Sequence, residues 1–222
     1  MLASLQLPST AAAAGWQGPI SEETSGTFCG PSNEAVNGFD CDGSYCDNVS
    51  IRCGTLPYGI TMSHWNWKDF FSEEDNGIGQ TSSGGWYQSD RSYSEVCNWA
   101  GAPSIMTGIR CRGRYCDDIS IECGIPMLDV GGVQETIELE NCSWTGPRSE
   151  EQSPLQLSNQ QFISGIACYD SYCDNKTFYV CEAAPPANSC MDSCGGSAPD
   201  GCWCDAVCTQ FGDCCGDYED AC

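Results

Sequence analysis

The chain has 222 residues, and its 31 acidic against 8 basic side chains give a formal net charge of −23. Such a charge repels phosphate backbones and anionic bilayers, which sets nucleic-acid binding aside, and no apolar run approaches the ~20 residues of a membrane-spanning helix. Twenty cysteines beside a single histidine, His64, with no Cys-x-x-Cys spacing, exclude most zinc sites and thiol chemistry and point to disulfides, hence to a secreted or other oxidising, extracellular setting with no metal or cofactor.

In chain order, Ala11–Ala14 before Gly15 has the look of the end of a secretory leader, but Met1–Thr10 holds no basic residue and no apolar core. Leu5-Gln6-Leu7 reads instead as a short strand. Beyond it, one phrase is written three times: Tyr45-Cys46-Asp47-Asn48-Val49-Ser50-Ile51-Arg52-Cys53, Tyr115-Cys116-Asp117-Asp118-Ile119-Ser120-Ile121-Glu122-Cys123, and Tyr172-Cys173-Asp174-Asn175-Lys176-Thr177-Phe178-Tyr179-Val180-Cys181. Upstream of each stand Gly38-Phe39-Asp40-Cys41, Gly108-Ile109-Arg110-Cys111 and Gly165-Ile166-Ala167-Cys168. Further upstream come Ser21-Glu22-Glu23, Ser72-Glu73-Glu74 and Ser149-Glu150-Glu151, each preceded by a tryptophan: Trp16, Trp65 or Trp67, and Trp144. Four landmarks in one order, three times, mean that one unit is copied, over about residues 1–54, 55–126 and 127–182.

The local pattern is β. Val49, Ile51 and Cys53 alternate with Ser50 and Arg52, Ile119, Ile121 and Cys123 do the same, and Thr136-Ile137-Glu138-Leu139-Glu140 alternates before Trp144. Tyr58-Gly59-Ile60-Thr61-Met62 takes the matching place in the second copy. Each unit thus offers about four short strands, and three such units around one apolar centre make an all-β domain.

Four cysteines per unit allow three pairings, between which sequence alone does not choose. The reading adopted here has Cys41–Cys46 and Cys111–Cys116 as local staples, with Cys29–Cys53 and Cys97–Cys123 closing their units. The third copy lacks a cysteine after Ser-Glu-Glu and carries Cys142 before Trp144 instead, so its pairing stays open.

Between Glu74 and Cys97 lie 22 residues, against 5 between Glu23 and Cys29. This insertion in the second copy holds Trp86, Tyr87 and Tyr93, aromatics suited to stack on a sugar ring or, equally, to pin the loop to the scaffold. Arg110, Arg112 and Arg114 alternate on one strand as the only basic cluster, positioned to meet an acidic partner surface or to neutralise nearby glutamates. Asn48, Asn141 and Asn175 open Asn-x-Ser/Thr triplets, which serve as N-glycosylation acceptors or simply as side-chain-bonded turns. Asp42, Asp47 and Asn48 offer oxygens to calcium, but Arg112 replaces the first in the second copy. Catalysis has little support: His64 lies in His64-Trp65-Asn66-Trp67 with no nucleophile elbow, and triplication of the paired glutamates suits a structural turn better than a glycosidase pair.

Pro185-Pro186-Ala187-Asn188 marks a linker, taken as 183–188, and 189–222 then packs eight cysteines into a segment too short to bury a core unaided. Its Cys202-x-Cys204-Asp205-x-x-Cys208 and Phe211-Gly212-Asp213-Cys214-Cys215-x-Asp217-Tyr218-x-x-x-Cys222 closely resemble the somatomedin-B domain. That resemblance implies the pairs Cys190–Cys204, Cys194–Cys222, Cys202–Cys215 and Cys208–Cys214. It also implies a protein-binding module of matrix and cell-surface proteins, with contacts from Asp205, Phe211, Tyr218 and Glu219; the plainer alternative has Phe211 and Tyr218 only shielding the cystines. The order Trp, Ser-Glu-Glu, Gly-[Phe/Ile]-x-Cys, Asp-[Asn/Asp]-x-[Ser/Thr] and terminal Cys in residues 1–182 resembles the vitelline membrane outer layer protein family. This implies a β-prism, three Greek-key sheets about a pseudo-threefold axis, and an egg-coat or extracellular-layer role.

The sequence therefore leads to a non-enzymatic, disulfide-stapled structural or adhesive protein of an extracellular layer or matrix, acting on another protein or on itself. The alternative is a lectin that holds glycans with Trp86, Tyr87 and Tyr93.

Overall fold

The computed structural model describes residues 15–22, 24, 26–57, 59–72, 93–130, 132–169, 171–184, 189–190, 193–199, 201–216 and 218–222. The Leu5–Leu7 strand, the glutamates at 23, 73 and 74, the aromatics Trp86 and Tyr87, and the linker residues 185–188 lie outside these. The protein is predominantly β, with a small disulfide-rich module at its C-terminus.

The first repeat supplies β1 (Gly15–Ile20), β2 (Thr27–Phe28), β3 (Glu34–Asp42) and β4 (Asn48–Thr55). The second supplies β5 (Thr61–Trp67), β6 (Tyr93–Val96), β7 (Asn98–Trp99), β8 (Ala102–Pro103), β9 (Ile105–Arg112) and β10 (Asp118–Val130). The third supplies β11 (Val133–Thr136), β12 (Leu139–Trp144), β13 (Leu155–Gln156), β14 (Gln161–Tyr169) and β15 (Asn175–Ala183). The alternation across 136–140 is interrupted, because Ile137 turns into the core and the chain passes from one sheet to another.

Three sheets result, ordered β1-β4-β3-β13, β11-β10-β9-β2 with β5 also on β10, and β12-β15-β14-β6; β7 and β8 form a separate two-stranded sheet. A sheet is not one sequence repeat. Its central hairpin (β3–β4, β9–β10 or β14–β15) belongs to one copy, but the short strand at its edge comes from a different one. β13 of the third lies on β3, β2 of the first on β9, and β6 of the second on β14. The repeated glycine makes this approach possible. A Cβ on Gly38 would stand 2.7 Å from the Leu155 carbonyl oxygen, one on Gly108 2.9 Å from that of Thr27, and one on Gly165 2.9 Å from that of Glu95.

Each hairpin closes through a 3₁₀ turn carrying Tyr45, Tyr115 or Tyr172 at φ 61°, 64° and 61°. Left-handed backbone on a non-glycine residue costs about 1–3 kcal/mol. The Cys41–Cys46, Cys111–Cys116 and Cys168–Cys173 bridges clamp these turns, and the three rings meet pairwise at 5.1, 5.2 and 5.3 Å between centroids. Beneath them the inward residues of all three hairpins share one core: Phe39 and Ile51, Ile109 and Ile121, Ile166 and Phe178, with Phe39 and Phe178 4.6 Å apart. A second cluster, including Ala35, Ile60, Ile105, Ile137 and Phe162, fills the other end.

Ten disulfides take up all twenty cysteines. Cys29, just past β2 in the second sheet, joins Cys53 of β4 in the first; Cys97, just past β6 in the third sheet, joins Cys123 of β10 in the second. Each therefore staples a corner between two sheets. The third corner has no staple, and register explains why. Cys53 faces Val36 and Cys123 faces Met106, each pair lying one step past the hairpin glycine, but the extra residue in the third phrase puts Val180 opposite Ile163 and carries Cys181 one place on. A shift of one residue turns a strand side chain to the other face. Cys181 accordingly pairs with Cys142 of the adjacent strand β12, while Val180 enters the core. Leu157, whose N–H bonds Asn37 O as that of Cys29 bonds Thr107 O and that of Cys97 bonds Ser164 O, fills the place of the missing cysteine. Restoring the staple with Leu157→Cys/Val180→Cys is expected to consume both new thiols, read by mass after alkylation. It should also raise the midpoint of thermal unfolding, a disulfide contributing up to about 2–4 kcal/mol where its geometry is relaxed.

Candidate functional site

Two surfaces stand out, one on the second sheet and one on the C-terminal module. On β9, Arg110 and Arg112 project on the same side and face Ser120 and Asp118 of β10. Arg110 Nε donates to Ser120 Oγ at 3.2 Å, and Arg112 Nε to Asp118 Oδ2 at 3.0 Å. Trp67, at the end of β5, and Phe70 interleave with them. The Arg110 guanidinium lies 4.5 Å above the Trp67 ring and 4.8 Å above Phe70, and that of Arg112 lies 4.0 Å above Phe70. Such cation–π contacts are worth about 0.5–1 kcal/mol each at exposed sites. The ladder fixes two flexible side chains in place while the Arg112 side chain keeps 60% of its surface. Arg114 departs from the expected alternation: the strand ends at Arg112, Gly113 turns the chain at φ 76°, and Arg114 enters the 3₁₀ turn. There its guanidinium covers Tyr115 at 4.7 Å and donates to the phenol oxygen at 2.9 Å.

In the C-terminal module, the bridges Cys190–Cys204, Cys194–Cys222, Cys202–Cys215 and Cys208–Cys214 form most of the interior, with Ala198 buried and Tyr218 packed against the cystines. Asp205 Oδ1 accepts from Val207 N and Cys208 N, both at 3.0 Å, and so holds the turn that leads into helix α1 (Cys208–Phe211). Gly212, at φ 73°, ends the helix by donating to Cys208 O. A second short helix, α2 (Tyr218–Ala221), carries Glu219 in solvent. The two aromatics named from the sequence thus separate: Tyr218 faces the cystines, whereas Phe211 is 76% exposed. Trp203 and Val207, which the sequence reading did not single out, are also exposed. With Asp205, Cys208, Phe211 and Asp213 they line a shallow groove of about 290 Å³.

The remaining candidates are distributed over the β region. Asn48 and Asn175 begin β4 and β15 and are half-buried, and Asn48 Nδ2 donates to Asp47 Oδ1 at 2.7 Å. Asn141 is exposed, with its Nδ2 donating to Glu182 Oε2 at 2.6 Å. Tyr93 opens β6, while Trp86 and Tyr87 fall outside the described residues. Asp42 is exposed at the end of β3, opposite Asn48. Among the described residues two clusters have metal-ligand spacing, Cys190/Cys204/Cys215 and Cys46/Glu150/Asp174, but their sulfurs are all in disulfides and offer no thiolate.

Burial raises the carboxyl pKa of three residues on the sheets. It outweighs the backbone hydrogen bond from Cys41 at Asp40, where Asp42 adds to the rise. It outweighs Lys68 at Glu95, and at Glu122 it outweighs the Thr107 hydroxyl, 2.9 Å away, and Arg110. A carboxyl with a higher pKa folded than unfolded binds its proton more tightly in the native state, so its contribution to stability improves as pH falls through the folded value and levels off below the unfolded one. Protonation also thins the charge of −23. Thermal unfolding followed by circular dichroism is therefore expected to show a higher midpoint near pH 5 than at pH 7, and a Glu122→Gln variant a smaller difference between the two.

Residues 188–222 match the somatomedin B domain family, so the chain carries a somatomedin B domain at its C-terminus. No curated protein and no solved structure matches the chain. No helix among the described residues is long and apolar enough to cross a membrane.

Proposed function

We propose that this is a secreted structural or adhesive component of an extracellular layer, matrix or surface assembly, working through protein–protein contacts. In this reading residues 1–182 form a rigid β-prism of three Greek-key sheets, 183–188 a linker, and 189–222 the docking module. The three equivalent hairpins, with their tyrosines in mutual contact and a shared core, support the prism. Ten cystines are consistent with an oxidising extracellular environment.

The observation that carries the reading is Phe211, held outward at 76% exposure beside Val207 and Trp203 on a module fixed by four disulfides. Burying such a ring in a partner returns about 1.5–3 kcal/mol, with no loop to order first. From Ser189 to Cys222 the module has seven carboxylates (Asp192, Asp200, Asp205, Asp213, Asp217, Glu219 and Asp220) and no Lys or Arg. The Arg110–Arg112 ladder, with Arg114 beyond it, is the complementary surface, so a second copy is the partner favoured by charge. The Arg112–Asp118 pair does not neutralise that surface strongly, an exposed ion pair being worth about 0–1 kcal/mol.

Light scattering with negative-stain imaging of the unreduced protein tests this. Association that grows with concentration is expected, weakened by Phe211→Ala with an unchanged unfolding midpoint because that ring is exposed, and by Arg112→Glu with a slightly lowered one because the Asp118 and Phe70 contacts are lost. A wild type that stays monomeric at every concentration removes the self-assembly reading. Loss of binding to extracellular matrix on Phe211→Ala would then mark a different protein as the partner.

A further inference from the structure

The register makes the repeats internal controls for one another, and at one place the second differs from both others in charge. On the edge strands Glu95 faces Ile166, as Thr27 faces Ile109 and Leu155 faces Phe39. On the neighbouring second sheet, Lys68 donates its backbone N–H to Ile121 O as Thr145 does to Phe178 O in the third, and Gln17, paired with Ile51 in the first, holds the corresponding place in the first repeat. The scaffold is thus complete with Thr or Leu at the one position and Gln or Thr at the other. Only the second repeat installs a carboxylate and an ammonium. Lys68 Nζ lies 3.3 Å from Glu95 Oε1 and donates to Asn98 O at 3.3 Å, with the Glu95 side chain 4% exposed. Replacing a buried ion pair by uncharged residues is often neutral or stabilising, and the sister repeats show which residues the scaffold accepts at these two places, so stability does not account for the pair.

The pair lines a groove of about 560 Å³, together with Asn66, Trp67, Asp69, Ser94 and Asn98. The size suits a small-molecule ligand. The lining holds two amides, a hydroxyl, two carboxylates and an ammonium, so both donors and acceptors are present, together with Val96 and an indole held by Arg110. One ammonium against two carboxylates disfavours phosphate and sulfate, and an apolar ligand would strip water from polar groups without replacing it. A polyol answers every wall: its hydroxyls donate and accept, and its C–H face packs on an aromatic ring.

We propose that this groove binds a neutral mono- or disaccharide, with the Lys68–Glu95 pair holding the hydroxyl-binding groups in register. The groove adjoins the arginine ladder through Trp67 and draws on neither Trp86 nor Tyr87.

The test is a titration of the intact, oxidised protein with disaccharides of glucose, N-acetylglucosamine, mannose and galactose. It is followed by saturation-transfer NMR and tryptophan fluorescence up to about 10 mM, where a millimolar site is mostly filled. At least one sugar is expected to bind saturably. The K68T/E95L double variant, which installs the residues of the third repeat, should weaken that binding at least about tenfold, a loss of about 1.4 kcal/mol. Its unfolding midpoint should equal or exceed that of the wild type, while each single variant lowers it by leaving a charge without its partner. No binding by any of the four sugars overturns the proposal. So does binding that the double variant leaves intact, or a double variant as unstable as the singles, which would make the pair structural.

Discussion

Everything in the β region depends on a two- to four-residue strand of one repeat lying flush against the hairpin of another. The contact is backbone to backbone at Gly38, Gly108 and Gly165, where a single added methyl would meet a carbonyl oxygen inside van der Waals distance. The pairings Thr27–Ile109, Glu95–Ile166 and Leu155–Phe39 close a circuit through all three copies. No repeat completes its own sheet, and one taken alone would expose both an unpaired edge and half of the shared core. The cystines act at a different level. Cys29–Cys53 and Cys97–Cys123 tie neighbouring sheets at their corners, and Cys142–Cys181 ties two strands of one sheet. Apolar packing by Leu157 and Val180 at the third corner shows that the circuit of edge strands closes there without a covalent staple.

How much of this was legible in the sequence follows from where periodicity carries information. The repeated phrase marks the hairpins because Val49-x-Ile51 and Ile119-x-Ile121 alternate, and the all-β class follows from it. The edge strands were not legible as such. Thr27–Phe28 and Leu155–Gln156 are too short to show a period, and their partners lie 82 and 116 residues away. The choice between Trp65 and Trp67 is settled only by register: Trp67 faces Glu122 as Trp16 faces Arg52 and Trp144 faces Tyr179. That two-residue uncertainty hid the equivalence of Lys68 with Gln17 and Thr145, and with it the charged groove. In the C-terminal module the cysteine spacing identified the domain, but Trp203 and Val207 escaped because nothing local distinguishes an outward aromatic from one that covers a cystine.

The repeats are alike in what holds them together and unlike in what they present. Five of the eight basic side chains fall in the second copy: Lys68, Arg91, Arg110, Arg112 and Arg114. The places of Arg110 and Arg112 are taken in the first copy by Asp40 and Asp42, and in the third by Ala167 and Tyr169. A fold that tolerates Asp, Ala and Arg at one strand position does not select the arginine for stability. The same reasoning applies to Glu95, whose counterparts Thr27 and Leu155 differ in both size and polarity. Chemistry gathered in one copy of an otherwise equivalent scaffold is the pattern left when two copies keep the fold and the third is free to acquire a surface.

The two parts of the chain also differ in what fixes their shape. In the β region Phe39, Phe71, Phe162 and Phe178 are spent on burial, since three sheets can be held together only by filling the space between them. The C-terminal module has too few residues to fill any such space, and its cystines fix the shape instead. Disulfides make the backbone rigid without drawing side chains inward, so Phe211, Trp203 and Val207 are left outside on a fixed frame. A module of the same length relying on burial would have to turn those side chains in to stay folded. Building with cystines is therefore what allows so short a segment to be stable while its large apolar side chains stay outside.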